Sequence, residues 1–212
     1  MPPETITPPR PEAETPLVEV DTKEKLVSLV EELKKEPCIA IDLEHHNQHS
    51  YQGFTCLIQV STRTTDYLVD VLVIREHVWL LNEVTSDPSI MKVLHGANQD
   101  ILWLQKDFGV YVVNMFDTGQ AARVLGFESF GLAYLLKRFC SVRANKEFQR
   151  ADWRWGSVRV VTPRIRPLPV IMKKYAREDT HFLLYICDEL RTLLAQQSGE
   201  RNLVGAGVWG DA

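Results

Sequence analysis

The chain has 212 residues, 45% of them hydrophobic, and a formal net charge of −4. This length and composition suffice for one substantial core, so we expect a single domain. The net charge excludes a uniformly basic protein that attracts nucleic acid over its whole surface. The four cysteines are far apart, which excludes a paired zinc motif or a disulfide scaffold and predicts reduced cysteines in an intracellular protein. No apolar run has transmembrane length and no secretory signal begins the chain, so we expect a soluble protein without membrane contact.

The first predicted elements lead to a strand with two acidic residues. Proline dominates residues 1–16, which we expect to be a disordered tail. Asp21 is the predicted N-cap of a first helix, because Glu24 follows at the third helical position and apolar residues recur at helical spacing until Pro37. An apolar run then ends at Asp42, which is typical of a buried strand.

The remaining elements alternate between strands and helices. Two runs of apolar and β-branched residues, Phe54–Ser61 and Tyr67–Val71, predict strands that form a meander with the preceding one. The next predicted elements are a helix at Ile74–Leu81, a strand at Met91–His95, a helix capped by Asn98, a strand at Val110–Val113, and helices at Thr118–Leu125, Gly131–Phe139 and Pro169–Gln197. This order predicts an α/β fold, a mixed β-sheet flanked by α-helices. Residues 198–212 lack an amphipathic period and are the predicted disordered C-terminal tail.

Four acids and a tyrosine carry the functional signal. Asp42 and Glu44 alternate along a strand, so both carboxylates leave the same face and repel each other unless a cation intervenes. Tyr175 and Asp179 are four residues apart on the last predicted helix, so they project from one side of it. Asp100 begins an earlier helix. Carboxylates are the hard oxygen ligands of magnesium and manganese, and this set predicts metal-assisted phosphodiester hydrolysis.

Each of these residues alone has an ordinary structural explanation. An acid at the end of a strand is commonly a turn residue, Asp100 favours a helix N-terminus, and Tyr175 suits an amphipathic core position. The combination in this order is more specific than any member. His45, His46 and His49 would suit a transition metal, but the neighbouring carboxylates favour magnesium or manganese.

The charge is unevenly distributed along the chain. The segment Lys137–Lys174 contains eleven basic residues and two acidic ones. A solvated basic face explains such a run, and so does a track for a polyanion beside a metal site.

Five segments carry a resemblance to a known superfamily. They are Ile41–His46, Cys56–Ser61, Trp103–Phe108, Asn114–Thr118 and Tyr175–His181. In these segments the chain resembles the DEDD superfamily of 3′-to-5′ exonucleases, and within it the RNase D-type nucleases of the eukaryotic nuclear exosome. Tyr175 stands in the position that defines the tyrosine subclass. The resemblance extends over roughly residues 17–191.

This resemblance implies an RNase H-like exonuclease domain at 17–197. The implied enzyme is a 3′-to-5′ exoribonuclease that releases 5′-mononucleotides from single-stranded RNA during nuclear RNA processing and decay. It further implies two divalent cations, Mg²⁺ or Mn²⁺. Asp42 would bridge both, Glu44 and Asp179 would complete one site, and Asp100 would hold the other cation through water. Tyr175 would orient the attacking water, because a phenol with a pKa of about 10 is a poor base at neutral pH.

The resemblance also implies substrate contacts and a cellular setting. Leu43, His45, Trp103 and Lys146 match family positions near the RNA. Aromatic faces suit base stacking without sequence preference, and a lysine offers a point charge to a phosphate. A buried helix residue explains Trp103 equally well. The family setting predicts a nuclear, nucleolar protein that associates with exosome subunits.

The chain departs from the family pattern at residues 155–164. This insertion separates two segments that follow each other directly in the family, and it precedes the helix with Tyr175 and Asp179. Loop-closure entropy grows slowly with length, so the insertion need not unfold the domain. A catalytically impaired RNA-binding module is therefore an alternative, as are a DNA 3′-5′ exonuclease and a protein-interaction role for the proline-rich tail. The C-terminal helical domain of longer family members is absent, so we expect the chain to be a fragment.

Overall fold

A computed structural model describes residues 5–47, 51–145, 147–149, 151–154 and 167–206, with side chains up to residue 199. The helices are α1 (Lys23–Leu33), α2 (Asn82–Thr85), α3 (Asn98–Phe108), α4 (Thr118–Val124), α5 (Leu132–Leu135), α6 (Val170–His181) and α7 (Leu183–Ala206), with 3-10 helices at Glu12–Glu14 and Arg75–Leu81 and a π-helical turn at Leu136–Cys140. The strands are β1 (Leu17–Val20), β2 (Cys38–His46), β3 (Phe54–Ser61), β4 (Asp66–Val69), β5 (Met91–Leu94) and β6 (Met115–Asp117).

The strands form one mixed sheet in the order β1-β4-β3-β2-β5-β6. Strands β2, β3 and β4 are antiparallel neighbours, which confirms the predicted meander. Strand β5 pairs parallel with β2 and with β6, and β1 pairs parallel with β4. The carboxyl ends of β2, β5 and β6 therefore lie at one edge of the sheet, which we call the carboxyl edge.

Alternation along β2 divides its side chains between two layers. Ile39, Ile41 and Leu43 pack into the core that α1, the second 3-10 helix and α3 cover. Cys38 and Ala40 pack against α7 on the opposite face. A strand buried on both sides has a continuous apolar sequence, which is what made β2 recognisable.

The first helix begins one residue later than predicted. The N-cap is Thr22, whose hydroxyl accepts the Lys25 N–H at 3.3 Å, and not Asp21. Asp21 instead pairs with the Lys25 ammonium at 2.6 Å. Both residue types cap helices, so the sequence alone did not discriminate between them. Strand β1 (Leu17–Val20) was not predicted.

Three predicted secondary-structure features in the middle and second half of the chain differ from the structure. Asn98 is the first residue of α3 and does not cap it, because Asp117 accepts the two N–H groups that precede the helix. Val110–Val113 is not a strand, since the neighbour of β5 is β6. The long predicted helix is two helices, α6 and α7, separated at Phe182.

The two predicted tails are partly ordered. The carbonyl of Arg10 lies 2.8 Å from His181 Nε2, and the carbonyl of Thr15 accepts a 2.7 Å hydrogen bond from Arg177 Nη2. The segment Arg10–Pro16 therefore straps α6, and the prediction of a disordered 1–16 is wrong for this part. Helix α7 continues to Ala206, into the predicted C-terminal tail. The insertion at 155–164 lies outside the described residues.

The cysteines are all free, as predicted from their spacing. Cys38, Cys56 and Cys187 are buried, and Cys140 is partly buried. In the part of the chain that the structure describes, no helix is both long and apolar enough to cross a membrane.

Candidate active site

Strand β2 presents the first two acids on the face that α6 covers. Asp42 and Glu44 alternate with the core residues Ile41 and Leu43, so they point away from α3 and toward α6. The pairing of β2 with β3 shifts in register after Glu44. Such an irregularity bends a strand and re-aims the side chains beside it, and it occurs frequently next to active sites.

Three carboxylates converge at this point. Oxygen atoms of Asp42, Glu44 and Asp179 all lie within 4.8 Å of one another. Asp179 comes from α6, at the opposite end of the sequence. The fourth acid, Asp100, is not part of this close group, but it lies near enough for its charge to raise the pKa of Asp42. The predicted convergence is therefore present for three acids, with Asp100 beside them.

The acids are held in an environment that disfavours their ionised forms. Burial, followed by repulsion from the other carboxylates, raises the pKa of Asp42 well above its usual range, and the same causes act on Glu44. Burial is the main cause that raises the pKa of Asp100 and of Asp179, each to about 7. Packed carboxylates with such shifts require either protons or cations nearby.

Tyr175 lies one helical turn before Asp179 and is enclosed by aromatic rings. Phe148 contacts its ring edge-on at a centroid distance of 5.7 Å, and Trp153 lies at 5.8 Å. Burial and the negative charge of the acids raise the pKa of Tyr175 above its ordinary value. The phenol therefore stays protonated at neutral pH and can donate a hydrogen bond.

Asp117 is a structural member of the site that the sequence interpretation overlooked. Its Oδ2 accepts the Ala97 N–H at 2.9 Å and its Oδ1 accepts the Gly96 N–H at 3.1 Å, which fixes the turn that precedes Asp100. The same carboxylate caps α4 by accepting the Gly119 N–H at 2.8 Å. Asp117 thus holds the start of α3 at the carboxyl edge. An aspartate directly before a helical pattern was the available signal.

Two further residues overlooked in the sequence support individual acids. Gln59 on β3 donates to Glu44 Oε1 at 3.3 Å and orients that carboxylate. Trp153 is 1% exposed and packs against Tyr175. Neither role had a local sequence signal, because Gln59 meets Glu44 only through the pairing of β2 with β3 and Trp153 meets Tyr175 only through the fold.

The predicted substrate residues have different surroundings. The rings of His45 and Trp103 stack on each other, with centroids 4.0 Å apart and an interplanar angle of 8°. Leu43 is 6% exposed and belongs to the core on the other face of β2. Lys146 lies outside the described residues. The structure thus brings His45 and Trp103 together and leaves Leu43 within the core.

A buried ion network anchors the helix that carries Tyr175 and Asp179. Asp66 Oδ2 accepts a 2.6 Å hydrogen bond from Arg177 Nε and lies 2.8 Å from His181 Nδ1. The other nitrogen of His181 faces the Arg10 carbonyl, so both ring nitrogens face acceptors, an arrangement that favours the doubly protonated ring. Asp66 accordingly raises the pKa of His181.

Comparison with known proteins identifies the family. The profile of a family described as 3′-5′ exonuclease matches residues 17–195. The chain belongs to this 3′-5′ exonuclease family. Exosome complex component 10 of Rattus norvegicus is 49% identical over 200 residues, which cover 94% of this chain and 22% of that protein. Exosome complex exonuclease RRP6 of Saccharomyces cerevisiae is 50% identical over 179 residues, 84% of this chain and 23% of that protein.

A solved structure of an exonuclease-family member has the same fold. The catalytic core of RRP6 from Trypanosoma brucei matches with a TM-score of 0.85 at 48% identity, over 92% of this chain and 51% of that one. The predicted RNase H-like fold, a mixed sheet flanked by helices, is thereby confirmed. The chain spans less than a third of the length of the curated relatives named above.

The exonuclease fold implies divalent metal, and the donor set fits it. Asp42, Glu44 and Asp179 offer hard carboxylate oxygens at short mutual distances, and hard oxygen donors are the usual ligands of magnesium. The raised pKa values of these acids also indicate that a cation would relieve repulsion inside the site.

These pKa values predict that the metal-free exonuclease domain loses stability as the pH rises. Asp100 and Asp179 have a pKa of about 7 in the folded chain, against an ordinary value of 3.8. Between these values the folded state binds more protons than the unfolded state, so the free energy of unfolding falls as pH rises from about 4 to about 7. Added magnesium should restore the melting temperature most strongly near pH 8, where the acids are ionised.

Thermal melting with a chelator and with magnesium, from about pH 5 to about pH 8, measures this linkage. His181, whose pKa is also raised, loses its own stabilising contribution in the same direction, but that part does not respond to metal. The metal-dependent difference therefore isolates the acids. An increment from magnesium that is equal at both ends of this pH range would contradict the predicted ionisation.

Gly53 is expected to be essential for the position of His45. Its φ is +62°, and a β-carbon at this position would lie 2.1 Å from His45 Cε1. Gly53→Ala should therefore displace the ring from Trp103 and cost more than the roughly 1 kcal/mol of an alanine in the left-handed region. Gly109 is a matched control, because its φ is +63° and no neighbouring atom lies within 4 Å of the point that a β-carbon would occupy. Urea unfolding of both variants measures the difference, and equal costs would contradict the clash.

Proposed function

We propose that this chain is the catalytic domain of a 3′-to-5′ exoribonuclease that removes 5′-mononucleotides from the 3′ end of single-stranded RNA. The observation that carries the proposal is the group formed by Asp42, Glu44 and Asp179, within 4.8 Å of one another, with Tyr175 one turn away on α6. Membership of the 3′-5′ exonuclease family supports the polarity of the reaction.

The four acids would hold two divalent cations, magnesium or manganese. When bound, such cations activate a water molecule and stabilise the departing oxygen of the phosphodiester. Asp42, Glu44 and Asp179 would hold one cation, and Asp100 together with Asp42 would hold the other. Gln59 keeps the Glu44 carboxylate in place through its 3.3 Å hydrogen bond.

Tyr175 orients the attacking water by hydrogen bond and does not accept its proton. The raised pKa of the phenol supports this role, because a base must lose its proton near the working pH. The aromatic contacts of Tyr175 with Phe148 and Trp153 restrict its ring, so the hydroxyl needs little reorganisation.

His45, Trp103 and Lys146 are the proposed contacts to the terminal nucleotides, and Leu43 lies behind them in the core. The His45–Trp103 stack presents an aromatic face, on which any base can stack. Leu43 would act from the core side by supporting the strand, and Lys146 would meet a phosphate. This set fits an enzyme that trims RNA without regard to sequence.

The assembly and location are proposed from the relatives. The rat relative is named an exosome complex component and the yeast relative an exosome complex exonuclease. We therefore propose that this chain acts in nuclear RNA processing and decay, in the nucleus and nucleolus, in association with exosome subunits.

Incubation with a 5′-labelled single-stranded RNA that has a free 3′ hydroxyl tests the proposal. With magnesium, a ladder of strands shortened one nucleotide at a time is expected, and a chelator should stop it. Asp179→Asn should stop it as well, whereas Glu178→Gln, a neighbouring carboxylate outside the close group, should not. Retained RNA binding without shortening would select an impaired RNA-binding module instead. Faster shortening of the DNA strand of equal sequence would select a DNA exonuclease.

A further inference from the structure

A surface built from stacked arginine and aromatic rings lies outside the acidic site. The guanidinium of Arg123 on α4 lies 4.7 Å from the ring centroid of Phe130. A second stack follows in the helical segment 118–140, which we call the helical module. There the Arg138 guanidinium lies 4.4 Å from the ring centroid of Phe127 and 5.6 Å from that of Phe139. We call the pair Arg123 and Phe130 the proximal stack, and the others the distal stack.

The backbone of Phe130 lies beside the start of α4, which Asp117 holds at the carboxyl edge. Asp117, which fixes the turn before Asp100, also accepts the Gly119 N–H at 2.8 Å. A β-carbon on Gly119 would lie 3.4 Å from the Phe130 carbonyl oxygen and 3.4 Å from His95. Neighbouring strands are about 4.8 Å apart, so β6 with Asp117 is about 10 Å from β2 with its acids. The exposed Phe130 ring therefore belongs to the segment that packs beside the start of α4, two strands from β2.

The segment that follows the helical module contacts the active-site tyrosine. After the π-helical turn that carries the distal stack, the segment from Ser141 leads to Phe148, which contacts Tyr175 at 5.7 Å. Arg143 is exposed on this segment. Phe148, which follows this exposed segment in the sequence, packs against the tyrosine that precedes Asp179 on α6.

Packing alone does not account for the proximal stack. Phe130 is 43% exposed, and Arg123 is exposed above it. Among the described residues, no carboxylate forms an ion pair with Arg123 or Arg138. Residues 118–145 contain four basic side chains and one acidic one, although the chain as a whole is acidic. An exposed ring beside such a guanidinium is suited to a ligand with flat rings and negative charges.

We propose that the proximal stack binds the nucleotides of a single-stranded RNA upstream of the terminal ones held at the acids. A base stacks on Phe130, and Arg123 meets the adjoining phosphate. The distal stack extends the same track. This inference rests on the proposed function, because it assumes that the 3′ end of an RNA strand lies at the acids. It then assigns a binding surface to the RNA nucleotides that precede this end.

Binding of strands of different length tests the path. The strands carry a phosphorothioate at the 3′-terminal linkage to slow hydrolysis, and fluorescence anisotropy compares one of about 12 nucleotides with one of about 3. Phe130→Ala should weaken binding of the long strand about tenfold and leave the short strand unchanged. Arg123→Ala should also reduce the slope of log affinity against log salt concentration by about one for the long strand.

Two variants elsewhere provide matched controls. Lys35→Ala removes one positive charge at the end of α1, beside the start of β2 and away from the carboxyl edge. Trp79→Ala removes an exposed aromatic ring from the second 3-10 helix. Neither should change the ratio of long-strand to short-strand affinity, and melting temperatures confirm that all variants fold.

The outcomes separate this inference from the proposed function. Unchanged long-strand binding in Phe130→Ala and Arg123→Ala would overturn the inference and leave a protein contact as the role of the surface. Equal loss on both strands would overturn it too, because the stack would then act on the terminal nucleotides. If the chain fails to shorten RNA but shows the length-dependent loss, the proposed function is wrong and the path stands.

Discussion

Replacing Asp42 by asparagine should reduce RNA shortening by on the order of a thousandfold and at the same time raise the melting temperature of the metal-free chain. The loss of activity is expected because Asp42 interacts with all three of the other acids, and a neutral amide is a poor ligand for a hard cation. The gain in stability is expected because burial and repulsion from Asp179, Asp100 and Glu44 raise the pKa of Asp42. An amide removes that repulsion while keeping the shape of the side chain.

The two effects are measured on one protein preparation. Shortening rates come from labelled RNA with magnesium, and melting temperatures come from scans at about pH 8 with a chelator, above the pKa of about 7 of Asp100 and Asp179. Asp87→Asn is the control, because Asp87 is a carboxylate away from the site that accepts hydrogen bonds from Ser89. It should lower the melting temperature slightly and leave shortening unchanged. A less stable Asp42→Asn chain would contradict the repulsion, and an active one would contradict the ligand role.

Local periodicity explains why the centre of the site was predictable from the sequence. Asp42 and Glu44 were placed on one face by the alternation of a strand, and Tyr175 and Asp179 by the repeat of a helix. Both rules depend only on neighbouring residues. The burial of Leu26, Leu29, Val30 and Leu33 in α1 followed from the same kind of rule.

The elements that were missed depend on contacts between distant segments. The role of Asp117 requires the start of α3 and the start of α4 to lie side by side, which no local pattern encodes. The order in Arg10–Pro16 follows from hydrogen bonds to α6, more than 160 residues away, so a proline-rich composition was a poor guide there. Strand β6 replaced the predicted Val110–Val113 because pairing with β5, rather than β-propensity, decides which residues form a strand.

The same long-range contacts lead to the second large effect, which is expected at Asp66. Its side chain is 1% exposed and accepts from Ser61 Oγ at 2.7 Å as well as from Arg177 and His181. Asp66→Ala would leave the buried guanidinium of Arg177 without its counter-ion and a buried ring nitrogen of His181 without its acceptor. Removing one partner of a buried ion pair costs about 3–5 kcal/mol, far more than the pair contributes relative to apolar residues. We expect that loss in the free energy of unfolding measured with urea.

Asp21→Ala is the matched control for this prediction. Asp21 also forms a 2.6 Å ion pair, with Lys25, but it is solvent-exposed, so its removal should cost less than about 1 kcal/mol. Because α6 carries Asp179 and Tyr175, Asp66→Ala should in addition weaken magnesium binding in the fraction that stays folded, whereas Asp21→Ala should not. Similar losses of unfolding free energy in the two variants would mean that Asp66 and the segment Arg10–Pro16 do not anchor α6. If Asp66→Ala lowers stability strongly but leaves the magnesium affinity unchanged, the buried ion network stabilises the fold without positioning the acids.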